Sequence, residues 1–191
     1  WIGDIPEEWD VNKVIYYYDI VSWKVLQSSK NTSEDILIDY ITAGNILWEK
    51  VNLKNLKQMW VTEDEIKKIE VHNGDLLICE GGEAGRSAIL QGLKTKCIIQ
   101  NHVHRIREKH QSSCKFLMYL MEFFNQAGIL KSIIERVTIS SLPRSTLANF
   151  LMTIPVTEQK QIIDYLYRET SNIDSEIIKN HEQHEKNKNI L

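Results

Sequence analysis

A glycine-rich loop carries the side chains whose types and spacing first indicate chemistry. Gly81, Gly82 and Gly85 lie between two apolar, strand-prone segments. The loop lacks the lysine and the spacing of a P-loop, and a strand follows it where a phosphate-binding loop would open a helix. The pattern therefore favours a hairpin over a nucleotide site. Small residues let such a loop approach another polymer closely. The polar side chains that we predict to project from it are Glu80, Glu83, Arg86 and Ser87.

Two histidines raise the question of a metal site. His102 and His104 would share one face of a strand that we predict over residues 97–106, and Cys97 and His110 lie nearby. A zinc site needs three or four ligands at suitable spacing, and the sequence offers no third and fourth ligand at such a spacing. We therefore predict no metal, and we interpret residues 101–107 as a half-exposed strand with a basic edge.

Positively charged side chains between residues 94 and 144 could contact nucleic-acid phosphates. For each of them the alternative is an ordinary solvated surface. These residues are Lys94, Lys96, Arg105, Arg107, Lys109, Lys131, Arg136 and Arg144.

The sequence lacks the motifs of common hydrolases and amino-methyltransferases. It contains neither Gly-x-Ser-x-Gly nor His-Glu-x-x-His, and it has no Asn-Pro-Pro-aromatic tetrapeptide. Carboxylates are plentiful but scattered along the chain. We therefore predict no catalysis and no cofactor of its own.

Composition limits the class of protein and its partners. The chain has 191 residues, of which 42% are hydrophobic, and a formal net charge of −3. This charge argues against a generic polyanion binder, so a nucleic-acid role would need a local basic patch or help from a partner. Three cysteines without metal-type spacing fit a reducing compartment, and no apolar run approaches the ~18 residues of a membrane span. We expect a cytoplasmic protein.

The elements that must position these side chains alternate without a βαβ rhythm, which predicts an α+β fold with a mixed sheet. Residues 27–35 form a polar loop. Thr62 and Glu65 fit a capping box that opens a short helix. Strands are predicted at residues 16–26, 36–41, 76–79, 87–90, 97–106 and 150–154. Further helices are predicted after Ser113, over residues 129–136 and for one turn after Ser145.

A long C-terminal helix is predicted over residues 157–191, which follow Pro155 and contain neither Gly nor Pro. Such a helix is about 50 Å long, so we predict an arm that pairs with a partner helix and a separate domain of residues 1–156. The alternative is a helix that packs on its own domain. Apolar residues at steps of three and four, followed by polar ones that would specify register, form a heptad seam. Its members are Ile163, Leu166, Thr170, Ile173, Ile177, Asn180, His184, Asn187 and Leu191.

Several segments, in this order, resemble the specificity (S) subunits of type I restriction-modification systems, the HsdS family. The opening Trp-Ile-Gly-Asp-Ile-Pro-Glu-Glu-Trp resembles the lead-in to one of their recognition domains. The other similar segments are residues 74–78 and 85–89 for the central hairpin, 101–103 for the next strand, and 140–155 with 158–166 for the exit into the helical spacer. Together they cover nearly the whole chain.

The resemblance implies a target recognition domain that reads one half of a split sequence in double-stranded DNA. The spacer helix would pack antiparallel against a second such helix. Methyltransferase (M) subunits, which carry S-adenosylmethionine, would dock on the subunit, and a restriction (R) subunit can join them. This chain has one recognition unit, so it is either half of a longer subunit or a half-subunit that dimerises.

Candidate DNA contacts follow from the loops that the resemblance places beside the hairpin and at the exit turn. They are Glu83, Arg86, Ser87, Ser140, Ser141 and Arg144, with a second group of Ser28, Ser29, Lys30 and Asn31. Two other functions stay open at this point. One is a protein-interaction module without DNA specificity, and the other is a metal-dependent nuclease built around His102 and His104.

Overall fold

The structure, a computed structural model, describes residues 4–22, 27–134, 141–155 and 157–188, with side chains up to residue 183. The chain divides into two compact units, Trp1–Val156 (unit 1) and Thr157–Leu191 (unit 2). No helix in the described part of the chain is both long enough and apolar enough to span a membrane.

Unit 1 combines strands and short helices, and unit 2 contains one long helix. The strands are β1 (Asp10–Lys13), β2 (Tyr18–Ser22), β3 (Ile36–Ile41), β4 (Lys57–Val61), β5 (Leu76–Cys79), β6 (Ser87–Ile89), β7 (Cys97–Ile99), β8 (Val103–Glu108) and β9 (Leu151–Ile154). The helices are α1 (Val14–Tyr17), α2 (Glu63–Ile69), α3 (Cys114–Gln126), α4 (Ile129–Ile134), α5 (Arg144–Asn149) and, in unit 2, α6 (Gln159–Lys188).

Three sheets organise the described strands of unit 1. The largest has the order β2-β8-β5-β6 and is antiparallel throughout. The second has the order β4-β3-β7, in which β3 pairs antiparallel with β4 and parallel with β7. The third is the ribbon β1-β9, which pairs the two ends of the unit. The predicted α+β class with a mixed sheet is confirmed.

Strand β5 lies at the centre of the core and is buried on both faces. Leu77 and Cys79 join a buried cluster with side chains from the β4-β3-β7 sheet and from α2. Because successive side chains of a strand point to opposite faces, Leu76 and Ile78 face the other side, where α3 packs. This double burial explains the continuous apolar run of β5, and it makes the strand a rigid base for the glycine-rich loop that follows.

The first turns of helices α2 and α3 are capped by side chains, in α2 as the sequence predicts and in α3 by a different residue. The predicted capping box is present: the Thr62 hydroxyl accepts from the Glu65 amide, and the Glu65 carboxylate accepts from the Thr62 amide. Helix α3 begins after Ser113 as predicted, but the Ser113 side chain makes no capping hydrogen bond. Instead, the Cys114 amide donates to the Glu108 carboxylate at 2.7 Å. The end of β8 therefore caps α3.

The prediction of one strand over residues 97–106 is wrong. The chain turns at Asn101 and His102, and it enters β8 in a different sheet from β7. His102 is consequently exposed in the turn, whereas His104 lies fully buried within β8. The two histidines do not share a strand face.

The strand predicted over residues 16–26 begins later than predicted, at Tyr18. Tyr16 and Tyr17 instead belong to α1, which buries Val14 and Tyr17 and leaves Tyr16 exposed. Tyr16 stacks on His110 with ring centroids 5.0 Å apart. Strand β2 ends at Ser22, and residues 23–26 lie outside the described residues.

Two arginines of β8 are structural, which corrects the predicted basic edge. Arg105 is only 5% exposed and donates to the Glu70 carbonyl at 2.8 Å. Arg107 forms an ion pair with Asp75, with Nε 2.6 Å from Oδ1, and that hydrogen bond raises the pKa of the guanidinium. Asp75 is 5% exposed and also accepts from the His72 amide. The network ties the end of α2 and the turn before β5 to β8.

The polar loop of residues 27–35 is organised by one carboxylate. Asp35 accepts from the Asn31 amide at 2.7 Å, the Thr32 hydroxyl at 2.7 Å and the Gln27 side chain at 2.8 Å. These donors, led by Thr32, favour the charged form and lower the pKa of Asp35 to about 2. The Gln27 carbonyl also accepts from the Trp60 amide, so this loop is anchored on β4.

Removing the charge of Asp75 should destabilise unit 1 markedly. Asp75→Asn leaves the Arg107 guanidinium without its counter-ion, and we expect the free energy of unfolding to fall by about 2–4 kcal/mol, a figure reduced for the partial exposure of Arg107. Urea titration followed by circular dichroism measures this. Asp64→Asn is the control, since it breaks a solvent-exposed pair with Lys67 and should leave the free energy of unfolding nearly unchanged. Equal losses in both variants would contradict the structural role of the network.

Asp35 should make stability depend on pH in the acid range. Its pKa is lower in the folded state than the ~4 of an unfolded chain, so its contribution is complete above about pH 4 and is lost as the pH falls towards 2. Urea midpoints of the wild type and Asp35→Asn, compared from neutral pH down to about pH 2, measure this. We expect the wild type to lose more stability than the variant over that interval. Parallel curves would show that the loop does not depend on the charge.

Candidate nucleic-acid interface

The glycine-rich loop joins β5 to β6 as the predicted antiparallel hairpin. Its backbone closes through hydrogen bonds from the Gly85 amide to the Cys79 carbonyl at 2.9 Å and from the Arg86 amide to the Glu83 carbonyl at 3.1 Å. Gly85 has φ of +92°, and a Cβ there would meet the side chains of Leu130 and Met121. Gly85 therefore allows the loop to lie directly against α3 and α4.

Glu83 and Arg86 are held by each other and by a tryptophan. Arg86 Nη1 donates to Glu83 Oε2 at 2.7 Å, and the Trp48 indole Nε1 donates to Glu83 Oε1 at 2.7 Å. Arg86 Nη2 also donates to the Ala43 carbonyl at 3.1 Å. Glu83 is exposed, whereas Arg86 and Trp48 are half-buried. The participation of Trp48 was missed from sequence, because a tryptophan in an unassigned segment carries no signal for its partner.

The prediction that Ser87 projects from the loop is wrong. Ser87 begins β6 and is 0% exposed, since β6 lies between β5 and α3. Its carbonyl accepts from the Glu49 amide at 3.1 Å, which brings the segment after Trp48 beside the hairpin. Among the polar residues of the loop, Glu83 is the exposed one, and Glu80 and Arg86 are half-buried.

Two hydrogen bonds join the exit turn, of which residues 141–143 are described, to the hairpin loop and to β8. The Leu142 amide donates to the Glu80 carbonyl at 2.7 Å, and His104 Nε2 donates to the Leu142 carbonyl at 2.8 Å. His104 Nδ1 then accepts from the Ser22 hydroxyl at 2.6 Å, which is the pattern of a neutral ring. Burial lowers the pKa of His104, consistent with that neutral form. His104 therefore links β2 and β8 to the exit turn and is not exposed for ligand binding.

Arg144 and Ser141 flank this anchored turn. Helix α5 begins at Arg144, two residues before the predicted start, because Pro143 and not Ser145 takes the N-cap position. Arg144 Nε donates to the Ile20 carbonyl at 2.8 Å, and the residue remains exposed. Ser141 is half-buried, and Ser140 lies outside the described residues. Ser141 and Arg144 therefore lie within two residues of Leu142, whose amide bonds to the first residue of the hairpin loop.

The second group of candidates lies on the loop anchored to β4. Ser28, Ser29, Lys30 and Asn31 are all exposed. The Lys30 ammonium lies 5.3 Å from the ring centroid of Trp60, and the Asn31 amide is committed to Asp35. No hydrogen bond between the described residues links this loop to the hairpin loop or to the exit turn. All ten candidates remain predictions as DNA contacts.

The surroundings of the hairpin loop are acidic. Besides Glu80 and Glu83, a carboxyl pair formed by Glu49 and Glu122 lies close by, and burial, together with the charge of Glu49, raises the pKa of Glu122. Within the described residues, no group of three or more His, Cys, Asp or Glu side chains is placed to hold a metal ion. The surface can offer directed hydrogen bonds from Arg86 and Arg144, but it is not a broad basic patch.

The structure describes the side chains of six of the nine predicted seam residues on α6, and three of these six are exposed. Ile173 is 56% and Ile177 is 49% exposed, Asn180 is exposed, and Ile163, Leu166 and Thr170 are half-buried. The Thr170 hydroxyl donates to the Leu166 carbonyl at 2.9 Å, so its polar atom is satisfied within α6. The side chains of His184 and Asn187, and all of Leu191, lie outside the described residues.

Additional exposed apolar side chains of α6 were not part of the predicted seam. Tyr165, Tyr167 and Ile178 are each more than half exposed. Tyr167 and Ile178 are eleven residues apart, about three helical turns, so they lie on one side of the helix. That side differs from the side of Ile173 and Ile177. Helix α6 therefore has a second apolar surface.

Comparison with known proteins identifies the family. A family model described as the type I restriction modification DNA specificity domain matches residues 6–186. The type I restriction enzyme MjaVIII specificity subunit of Methanocaldococcus jannaschii is 26% identical, and the match covers 98% of this chain and 45% of that protein. The chain therefore spans less than half the length of this relative.

Solved structures share the fold at low identity. A chain from a structure that describes complex assembly and conformational transition of the type I R-M system superposes with a TM-score of 0.65 at 14% identity, covering 91% of this chain and 41% of that chain. The HsdS subunit from Thermoanaerobacter tengcongensis superposes with a TM-score of 0.59 at 14% identity, covering 91% of this chain and 40% of that chain. Specificity subunits have a non-catalytic role within type I restriction-modification systems. Because the family model matches nearly the whole of it, this chain belongs to the type I restriction modification DNA specificity domain family.

Proposed function

We propose that unit 1 reads one half of a bipartite target in double-stranded DNA and that it does so without catalysis of its own. The observation that carries this proposal is the hydrogen bond between Leu142 and Glu80, 2.7 Å long. It joins the turn that leads into Arg144 to the start of the loop that leads into Arg86, and this connection supports a shared role for the two arginines. Arginines are typical donors both to base edges and to backbone phosphates, and these two are held by segments that a rigid sheet supports.

The negative net charge of the chain indicates that its partners must supply positive charge for contacts with DNA phosphates. Phosphate contacts usually provide much of the affinity of a protein for DNA, and they need lysine and arginine. Arg105 and Arg107 are committed inside unit 1. We therefore propose that docked methyltransferase subunits supply much of the phosphate clamp, together with the S-adenosylmethionine chemistry. A restriction subunit joins the same complex, in the cytoplasm, and this chain contributes the choice of sequence.

Helix α6 has two apolar surfaces, and we assign them to different partners. The seam through Ile173 and Ile177 pairs with a second helix, contributed either by a second half of a longer subunit or by a second copy of this chain. The side that carries Tyr167 and Ile178 docks a methyltransferase subunit. If two copies pair, two-fold symmetry gives a palindromic target, and if a different half pairs, the target is asymmetric.

Sequence-selective binding should depend on an exposed arginine of the exit turn. We expect weak and salt-sensitive DNA binding by the chain alone, and selection of one sequence from a pool of random duplexes once a methyltransferase subunit is added. Arg144→Ala should lower the affinity of the complex for the selected duplex at least about fivefold, because a good arginine-base contact is worth ~1–3 kcal/mol. Fluorescence anisotropy at fixed salt measures these affinities.

The matched control is Arg168→Ala on α6, which removes an exposed arginine paired with Glu169 and should leave the affinity for DNA unchanged. A complex that binds all duplexes equally would refute the proposal. If Arg86→Ala combined with Arg144→Ala leaves DNA binding unchanged while the methyltransferase subunit still binds, the chain is instead a protein-interaction module.

The two surfaces of α6 should respond differently to the same substitution. If two copies pair, Ile173→Glu, which places a charge in the apolar seam, should weaken self-association at least about tenfold. Ile178→Glu changes an isoleucine that is 59% exposed, against 56% for Ile173, and it should leave self-association intact while it weakens methyltransferase binding. Analytical ultracentrifugation measures the first effect, and co-purification measures the second.

Identical behaviour of the two variants would contradict the assignment of separate surfaces. Circular dichroism of both variants controls for helix content, since an exposed Ile→Glu change is well tolerated by an α-helix.

A further inference from the structure

A single carboxylate in the hairpin loop holds the arginine on which the proposed function depends. Glu83 uses one oxygen for the Arg86 guanidinium and the other for the Trp48 indole, each at 2.7 Å. Trp48 lies 35 residues before Glu83, so this contact fixes the carboxylate from outside the loop. The indole N–H can only donate a hydrogen bond, and an ionised carboxylate can only accept one, so Trp48 fixes the orientation of Glu83.

The guanidinium of Arg86 is only partly satisfied in this arrangement. Nη1 donates to Glu83 and Nη2 donates to the Ala43 carbonyl, while the buried Nε has no hydrogen-bond acceptor among the described residues. A buried N–H without an acceptor carries a desolvation penalty that a stronger acceptor could remove. The side chain is 20% exposed, so an incoming group can reach it once Glu83 moves.

A phosphate group is the ligand that best replaces this carboxylate. Arginine binds carboxylate and phosphate in the same planar, two-point geometry, and each hydrogen bond is charge-assisted. A phosphate oxygen that approaches Arg86 must also approach the negative charge of Glu83. The two anions therefore compete for one guanidinium.

We propose that Glu83, oriented by Trp48, is an internal competitor that occupies Arg86 in the free domain and exchanges with a backbone phosphate when DNA binds. This inference rests on the proposed function, because it assigns a role to Arg86 within the DNA-binding surface. It predicts that Glu83 weakens binding to every DNA sequence by a similar factor. Glu83 thus sets the affinity for DNA, and the bases are read elsewhere.

Glu83→Gln provides the test, because it retains the size and the hydrogen-bond acceptor but removes the charge that competes with phosphate. The complex with a methyltransferase subunit, or the chain alone at low salt, is titrated with its selected duplex and with a scrambled duplex of equal length. We expect affinity to rise about three- to tenfold for both duplexes, the range that follows from releasing a partly buried ion pair. The slope of log affinity against log salt should stay close to that of the wild type, because both proteins make the same Arg86–phosphate contact once DNA is bound.

Trp48→Phe is the second variant and tests the orienting role of the indole. Phenylalanine retains most of the ring but removes the N–H donor, so affinity should rise in the same direction by a smaller factor. Asp64→Asn is the matched control, because it breaks another acidic–basic pair of the same i,i+3 spacing, Asp64 with Lys67 at 3.0 Å. It should leave both affinities and the salt slope unchanged. Thermal denaturation of each variant checks that unit 1 remains folded.

Three outcomes would overturn the inference. A fall in affinity of Glu83→Gln for the selected duplex alone would make Glu83 a reader of a base. A rise confined to the selected duplex would assign Arg86 to a base edge, and unchanged affinity for both duplexes would show that Glu83 does not compete. These outcomes differ from failure of the proposed function, in which the wild-type complex itself would not distinguish the two duplexes.

Discussion

The ion pair between the buried Asp75 and the half-buried Arg107 is the constraint on which the rest of unit 1 depends. Arg107 Nε donates to Asp75 Oδ1 at 2.6 Å and Nη2 donates to Oδ2 at 2.9 Å, and Asp75 also accepts from the backbone of the turn that precedes β5. A charge removed from water must be paired and hydrogen-bonded, so this carboxylate and this guanidinium fix each other's positions. They align the start of β5 with β8, and β5 then carries the glycine-rich hairpin.

The proposed recognition surface is assembled on that frame from loops joined by backbone hydrogen bonds. The exit turn is bound to Glu80 and to His104, and the loop itself is packed by Gly85 against α3 and α4. Loops tolerate changes of sequence better than the strands that carry them. Under the proposed function, such a domain can change the bases it reads without changing its core. Specificity would then follow from a few side chains, since the surface lacks the broad positive charge that binds any DNA.

Sequence reasoning succeeded where local chemistry decides the structure. The Thr62 capping box, the β5-β6 hairpin and β3 are set by neighbouring residues, and the structure places them where the sequence predicts. It failed where tertiary contacts decide. The turn between β7 and β8 contains neither glycine nor proline, so the sequence predicted one strand over residues 97–106. Arg105 and Arg107 read as surface residues because their partners, Glu70 and Asp75, lie in another element. The same limit hid the contact of Trp48 with Glu83.

The central claim is that unit 1 chooses the bases and α6 sets the distance between the two halves of the target. The most direct measurement is a map of methylated positions for the reconstituted complex, before and after removal of one heptad, residues 180–186, from α6, a deletion that retains Ile173, Ile177 and Ile178. This deletion preserves the seam register and shortens the helix by about 10 Å, at 1.5 Å per residue. The account predicts unchanged bases in each half-site and a smaller gap between them. A changed base sequence with an unchanged gap would contradict it.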